Sequence, residues 1–227
     1  MPLLSGLGNQ DTNNMPLYKT INFNSTTQIL VWKISESYAE LFDTVVLNDK
    51  NRLRLDGMKS EMHQRGFLSV RKLLQQAGYT DLDLYYDESG KPHLKDKDDK
   101  HISITHSHEF SAIIVSDQTV GIDIELRREK IIRIADKFVN EKELSRLKFS
   151  NEDDYIRKLT VKWGAKEAIF KIRNQKGISF KDHIKVQAFE MEDTLATAAL
   201  HFDGIIKDFN IHFEEMEGFT LVYALEK

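Results

Sequence analysis

Cysteine is absent from all 227 residues. Its absence excludes disulfides, a thiolate-ligated metal and a cysteine nucleophile, and it fits a reducing cytoplasm. Also lacking are an apolar run long enough to span a bilayer and a charged segment followed by an apolar one of the kind that directs export. There is no surplus of positive charge either: the formal net charge is −4 at pH 7, which argues against a general nucleic-acid binder. The 41% hydrophobic content is enough, at this length, for one large domain or two smaller halves with a sizeable core. The expectation is a soluble, cytoplasmic protein.

Two stretches carry chemistry. In Val120-Gly121-Ile122-Asp123-Ile124-Glu125, apolar residues alternate with Gly121, Asp123 and Glu125, the period of a strand that shows two carboxylates on one side. Like charges held side by side raise each other's proton affinity, so such a pair calls for a cation, and magnesium is the natural hard one. The second stretch, Trp163-Gly164-Ala165-Lys166-Glu167-Ala168-Ile169-Phe170-Lys171, reads as helix. Trp163, Glu167 and Lys171 are spaced to share one face, with Lys166 about a third of a turn away. Taken singly, these residues have ordinary readings: exposed strand carboxylates, a core tryptophan, and a Glu167–Lys171 helix-surface pair worth about 0.3–0.5 kcal/mol. Together they offer a metal cup of Asp123, Glu125 and Glu167 flanked by lysines, suited to holding a pyrophosphate.

The rest of the chain alternates helix and strand signals. Residues 1–14 are rich in Gly, Asn and small polar residues and read as a loosely attached extension. The folded body is expected to begin with a strand over Thr27–Ile34, followed by a helix capped by Ser35 or Ser37, the basic residues Lys50, Arg52 and Arg54, and a long helix over 60–77 closed by Gly78. Gly90-Lys91-Pro92 reads as a turn. Strand signals over 102–104 and 110–115 lead into the acidic strand as an antiparallel meander. Helices are expected with Ile131, Ile134 and Phe138 on one face, over 141–148, and from Ser150 or Asn151 onward; four strands are expected over 184–191, 195–202, 209–213 and 219–225. His106 and His108 are two apart, but no further Cys or His is spaced to complete a zinc site.

Gly-Ile-Asp-Ile-Glu followed by Trp-x-x-Lys-Glu-Ala-x-x-Lys resembles the paired signature of the 4'-phosphopantetheinyl transferases. Gly90-Lys91-Pro92 and Ile104-Thr105-His106-Ser107 match the larger, surfactin-synthetase-activating (Sfp-like) type. The four motifs follow the family's order and cover roughly Arg65 to Lys171. Two positions depart from its pattern: Gly164 stands where a hydroxyl residue is common, and Thr105 where Ser is common. The resemblance implies an α+β fold of two similar halves, each a small antiparallel sheet packed with helices, about a pseudo-twofold axis, divided here as 15–116 and 117–227. It implies transfer of the 4'-phosphopantetheine arm of coenzyme A to a serine of an acyl or peptidyl carrier protein, with release of adenosine 3',5'-bisphosphate.

On that resemblance, Arg71, Lys91, His106, Lys50, Arg54 and Thr105 are expected to hold coenzyme A. Asp123, Glu125 and Glu167 are expected to hold Mg2+, Lys166 or Lys171 to steady the leaving phosphate, and Glu167 to take the serine proton. A monomer is expected, since one chain carries both halves of the site. The basic run Arg127, Arg128, Lys130 and Arg133 is the expected docking surface for an acidic carrier. Whether that carrier serves fatty-acid synthesis or a secondary pathway is left open. The competing readings are a non-catalytic coenzyme A-binding module and a magnesium-dependent phosphohydrolase; no metal carboxylate or second-motif lysine is missing, as either loss would favour the first.

Overall fold

The computed structural model describes residues 17–97 and 99–227, so the expected extension over residues 1–14 lies outside the described residues. The chain opens with β1 (Leu17–Asn22) and β2 (Gln28–Lys33), then three helices, α1 (Tyr38–Phe42), α2 (Asp49–Asp56) and α3 (Glu61–Gln76). A small hairpin, β3 (Leu84–Tyr86) and β4 (Pro92–Leu94), precedes a longer one, β5 (His101–Ser107) and β6 (Phe110–Ser116). Next come β7 (Val120–Leu126), α4 (Lys130–Phe138), α5 (Glu141–Arg146) and α6 (Glu152–Arg173). The last elements are α7 (Phe180–His183), β8 (Ile184–Val186), β9 (Leu195–Phe202), β10 (Ile205–Met216) and β11 (Phe219–Glu226).

Two antiparallel sheets result, one ordered β1-β2-β6-β5 and one β7-β11-β10-β9-β8. They stack face to face between two long helices. Ile29, Val31, Ala112 and Ile114 of the first sheet meet Ile122, Ile124, Leu221 and Tyr223 of the second. Leu30, Trp32 and Ile113, on the opposite face of the first sheet, pack on Phe67, Leu68 and Leu74 of α3. Val222 and Ala224, on the outer face of the second, pack with Val161, Ala165 and Ile169 of α6. Central strands are thus buried on both faces, which is why β2 and β11 read as near-continuous apolar runs instead of alternating ones. The architecture is α+β, with one long helix covering each sheet.

The acidic strand departs from the expected meander. β7 leaves β6 and pairs with β11 in the other sheet. Its free edge lies against β5, where side chains replace a backbone ladder: Ser103 Oγ accepts from Ile122 N at 3.1 Å and Thr105 Oγ1 from Ile124 N at 3.3 Å. The folded body also begins earlier than Thr27, because β1 pairs with β2 as a largely exposed edge strand. α2 was not expected; its sequence, Asp-Lys-Asn-Arg-Leu-Arg-Leu-Asp, buries only Asn51 and Leu55 and shows little helical periodicity. The strand expected over 184–191 stops at Val186 and gives way to a short 3-10 turn over Met191–Asp193.

Candidate active site

β7 and α6 are pressed together by two glycines. A Cβ on Gly121 would lie 2.0 Å from the Ala168 carbonyl oxygen, and one on Gly164 would lie 2.7 Å from Val222 Cγ2. Gly121 therefore lets the backbone of α6 approach the strand that bears Asp123, while Gly164 lets α6 sit against Val222 of β11, the residue paired with Asp123, and a hydroxyl side chain there would collide with Val222. At this spacing the helix face carrying Trp163, Glu167 and Lys171 lies over the strand face carrying Asp123 and Glu125. Lys171 Nζ donates to Asp123 Oδ1 at 2.8 Å and to the Ile122 carbonyl at 2.9 Å. Thr105 Oγ1 donates to the same Oδ1 at 3.2 Å, while Trp163 Nε1 donates to Glu125 Oε1 at 3.0 Å.

The electrostatics show more acid than base. Glu125 is pushed up to about 7 by burial first and then by the charge of Asp123; Glu167 is pushed up to about 7 for the same two reasons in the same order. Asp123 Oδ2 is buried with no hydrogen-bond partner. One ammonium among three carboxylates leaves negative charge unbalanced, and a bare buried carboxylate oxygen is costly unless something else neutralises it. The donor set suits a hard divalent cation. Among the described residues, however, no three His, Cys, Asp or Glu side chains are gathered as a ready metal cage.

Lys171 also lines a cleft of about 240 Å³ between the two halves, together with Arg54, Phe67, Arg71, Lys91 and His106. Arg71 is buried, its guanidinium 3.4 Å above the Phe67 ring, with Nε on Asp81 Oδ1 at 2.9 Å and Nη1 on the Phe67 carbonyl at 3.1 Å. Arg54 stands 5.6 Å from the Phe67 ring and 5.2 Å from Tyr86. Lys91 sits in the turn between β3 and β4 and reaches across to the C-terminal end of α6, donating to the Ile172 carbonyl at 2.5 Å; burial lowers its pKa. The His106 ring lies against Gly66 of α3 and faces the cleft, where loss of solvent, then His63 and Lys171, lower its pKa. His106 is thereby biased toward the neutral imidazole, which keeps one N–H to donate.

Three expected site residues are not brought to the cleft in the expected way. Lys166 is fully buried on the opposite side of α6, where its ammonium donates to Glu143 Oε2 and to the carbonyls of Phe138, Phe180 and Ile184 at 2.7–2.9 Å. A lysine with four acceptors in the core has no charge to offer a phosphate in the cleft. Thr105 is buried, and its hydroxyl is used between Ile124 N and Asp123 instead of lining the cleft. Lys50 is exposed on α2 and is not among the lining residues.

On the other side of Glu125 is a second groove of about 240 Å³, whose walls include Trp163, Arg128, Lys130, Ile131 and Ile134. Arg128 hydrogen-bonds His108 of the β5–β6 turn. Arg127 is turned away, tied to the carbonyls of Phe219 and Glu217 and to the Glu215 carboxylate. Asp81, His108 and the aromatic floor of Phe67 and Tyr86 carry no motif, and only the structure places them at or behind the site.

A family model described as the 4'-phosphopantetheinyl transferase superfamily matches residues 119–224, a stretch that holds the whole acidic and lysine cluster. The 4'-phosphopantetheinyl transferase Sfp of Bacillus subtilis (strain 168) is 29% identical over 126 residues, 53% of this chain and 56% of that protein. The 4'-phosphopantetheinyl transferase gsp of Aneurinibacillus migulanus is 32% identical over 109 residues, 47% of this chain and 45% of its own. A further 4'-phosphopantetheinyl transferase from Bacillus subtilis is 33% identical over 92 residues, 40% of this chain and 41% of its own. The chain spans about half the length of the curated relatives it matches. Residues 119–224 match the 4'-phosphopantetheinyl transferase superfamily, and about half of the chain is similar to Sfp and gsp.

Proposed function

We propose that this chain transfers the 4'-phosphopantetheine group of coenzyme A to a serine hydroxyl of an acyl or peptidyl carrier protein. The observation that carries this reading is the position of Lys171, which lines the basic cleft and at the same time bonds Asp123 of the acidic cluster. A nucleotide anchored in that cleft would bring its pyrophosphate to the carboxylates. Arg54, Arg71, Lys91 and His106 anchor the phosphorylated nucleoside end; Arg54 is the exposed member and Arg71 the buried one. Lys50, Thr105 and Lys166 are left out of direct contact for the reasons of geometry given above.

Asp123, Glu125 and Glu167 are the residues that would hold Mg2+, which when bound supplies positive charge to the pyrophosphate. The chain's own groups do the rest. The serine oxygen bonds to the phosphorus bearing the pantetheine arm, and the bond from that phosphorus to the oxygen of the nucleotide's 5'-phosphate breaks. The electron pair stays with the leaving adenosine 3',5'-bisphosphate, whose charge Lys171 stabilises. Glu167 accepts the serine proton. Trp163 and Thr105 fix the orientation of Glu125 and Asp123.

The carrier enters over the second groove, where Arg128 and Lys130 offer positive charge and Ile131 and Ile134 offer apolar surface. Residues 15–116 and 117–227 act as the two halves of one monomeric site. Among the described residues no helix is long and apolar enough to cross a membrane, in keeping with a cytoplasmic setting. The test is release of adenosine 3',5'-bisphosphate from coenzyme A and Mg2+ with and without an apo carrier. The reading predicts release only with carrier; equal release without it would indicate hydrolysis and contradict the transfer.

A further inference from the structure

Behind the cleft stands an ion pair that the reaction itself does not touch. Asp81 and Arg71 are both about 2% exposed, and their side chains meet at 2.9 Å. Both oxygens of Asp81 are engaged: Oδ1 accepts from Arg71 Nε and from Asn51 Nδ2 at 2.8 Å, and Oδ2 accepts from Asn48 N at 2.9 Å. Its carbonyl accepts from Asn48 Nδ2 at 3.1 Å. Asn48 caps α2, the helix that carries Arg54 to the cleft, through its own side chain on Asn51 N at 2.8 Å. One carboxylate therefore anchors both the guanidinium of Arg71 and the start of the helix bearing Arg54.

Burying such a pair is a poor way to gain stability, because desolvation offsets the attraction. What it does achieve is directional. An arginine has five N–H donors in a rigid fork. Asp81 takes Nε, the Phe67 carbonyl takes Nη1, and the Phe67 ring fixes the plane from below. Nη2 is left buried without a hydrogen-bond partner on a residue that lines the cleft. A donor held in that state favours an anionic acceptor strongly, since it gains a full charged hydrogen bond and has little water to give up.

We propose that Asp81 is a positioning residue for nucleotide selectivity: it presents Arg71 Nη2, and through α2 Arg54, to a phosphate monoester on the ligand. The inference rests on the reading of the cleft as the coenzyme A site. It assigns to Asp81 the preference for coenzyme A over its analogue without the 3'-phosphate, with no part in the chemistry at the pyrophosphate.

The experiment is calorimetric binding of coenzyme A and of 3'-dephospho-coenzyme A to the full chain, without carrier, for the wild type, Asp81→Asn, Arg71→Lys, Arg71→Gln and the Asp81→Asn/Arg71→Gln pair. The wild type should favour coenzyme A by roughly tenfold or more, as expected for a charged hydrogen bond in a shielded site. Asp81→Asn should lose most of that preference while binding the dephospho form within about twofold of the wild type, a split that general loosening of the fold would not give. Arg71→Lys keeps the charge but loses the planar fork that lets one side chain bond Asp81 and still aim a second nitrogen at the cleft, so it too should lose the preference even if Asp81→Asn fails to fold. In the Arg71→Gln background, Asp81→Asn should add nothing. A preference retained in Asp81→Asn or Arg71→Lys, or equal weakening of both ligands, overturns the role of Asp81. A wild type that binds the two ligands equally counts instead against the reading of the cleft, and the proposal falls with it.

Discussion

At the scale of single residues, the two lysines of the second motif have opposite fates. Lys166 holds Glu143 and three carbonyls in the core, while Lys171 holds Asp123 at the cleft. Lys166→Met should strand Glu143 as a buried charge with only Lys162, 3.6 Å away, to balance it, and should cost about 3–5 kcal/mol of stability in denaturant unfolding. Lys171→Met removes the one ammonium beside buried Asp123, so it too should lower the midpoint, but the protein that remains folded should show kcat reduced by about a hundredfold or more. A stable Lys166→Met protein with kcat reduced as far as in Lys171→Met would show that the buried ammonium acts in catalysis after all. Periodicity placed Lys166 near the catalytic face but could not reveal that acceptors from α4, α5, α7 and β8 converge on it.

The raised carboxylates give a pH prediction. Glu125 and Glu167 ionise at about 4.5 when unfolded but near 7 in the folded protein, so the folded state binds more protons between those values. Metal-free stability should therefore fall as pH rises from about 5 to 8, by roughly 2–4 kcal/mol for the two groups together. Thermal unfolding in chelator should show this slope in the wild type and a flatter one in Glu125→Gln/Glu167→Gln. Added Mg2+ should restore most at pH 8, where the carboxylates are charged; identical slopes in the two proteins would mean that these glutamates are solvated and unstrained.

At the scale of elements, the distance between α6 and β7 decides whether the motif residues meet. Gly164→Ala drives a methyl to within 2.7 Å of Val222 Cγ2, and should cost about 1–3 kcal/mol and shift Asp123 relative to Glu167. Val222→Ala opens that side and should recover part of both stability and turnover in the double variant. Additive losses in denaturant unfolding would mean that the two residues do not share a contact. α3 was legible because its apolar period is strong, and the expected 60–77 became Glu61–Gln76; α6 has little such period, and its start was legible from the cap, expected at Ser150 or Asn151 and found at Asn151. What escaped was set by tertiary context. β1 is a polar edge strand with little periodicity, α2 is a charged helix made useful by Asp81, and β7 left its hairpin neighbours because Ser103 and Thr105 satisfy the edge that a meander would have paired.

At the scale of the whole molecule, the active-site reading depends on one surface of each half. β7 and α6 supply the acids and Lys171, while α2, α3, the β3–β4 turn and β5 supply Arg54, Arg71, Lys91 and His106. The four motifs were visible in the sequence, but the joining of the two sheets that brings them together was not. A carrier approaching the second groove meets Arg128 and Lys130, whereas Arg127 is already paired inside the protein. Reversing Arg128 and Lys130 to Glu should slow modification of an acidic carrier about tenfold at low salt, flatten its salt dependence and leave coenzyme A binding unchanged. Stopped-flow rates across a salt series decide this; an unchanged salt slope moves the carrier elsewhere. The central claim is tested most directly by the intact mass of an apo carrier incubated with coenzyme A, Mg2+ and the protein. The account predicts that the carrier gains the mass of one 4'-phosphopantetheine group on a single serine, with no gain when Lys171→Met replaces the wild type. Unmodified carrier across several acyl and peptidyl types, or full modification by Lys171→Met, would contradict it.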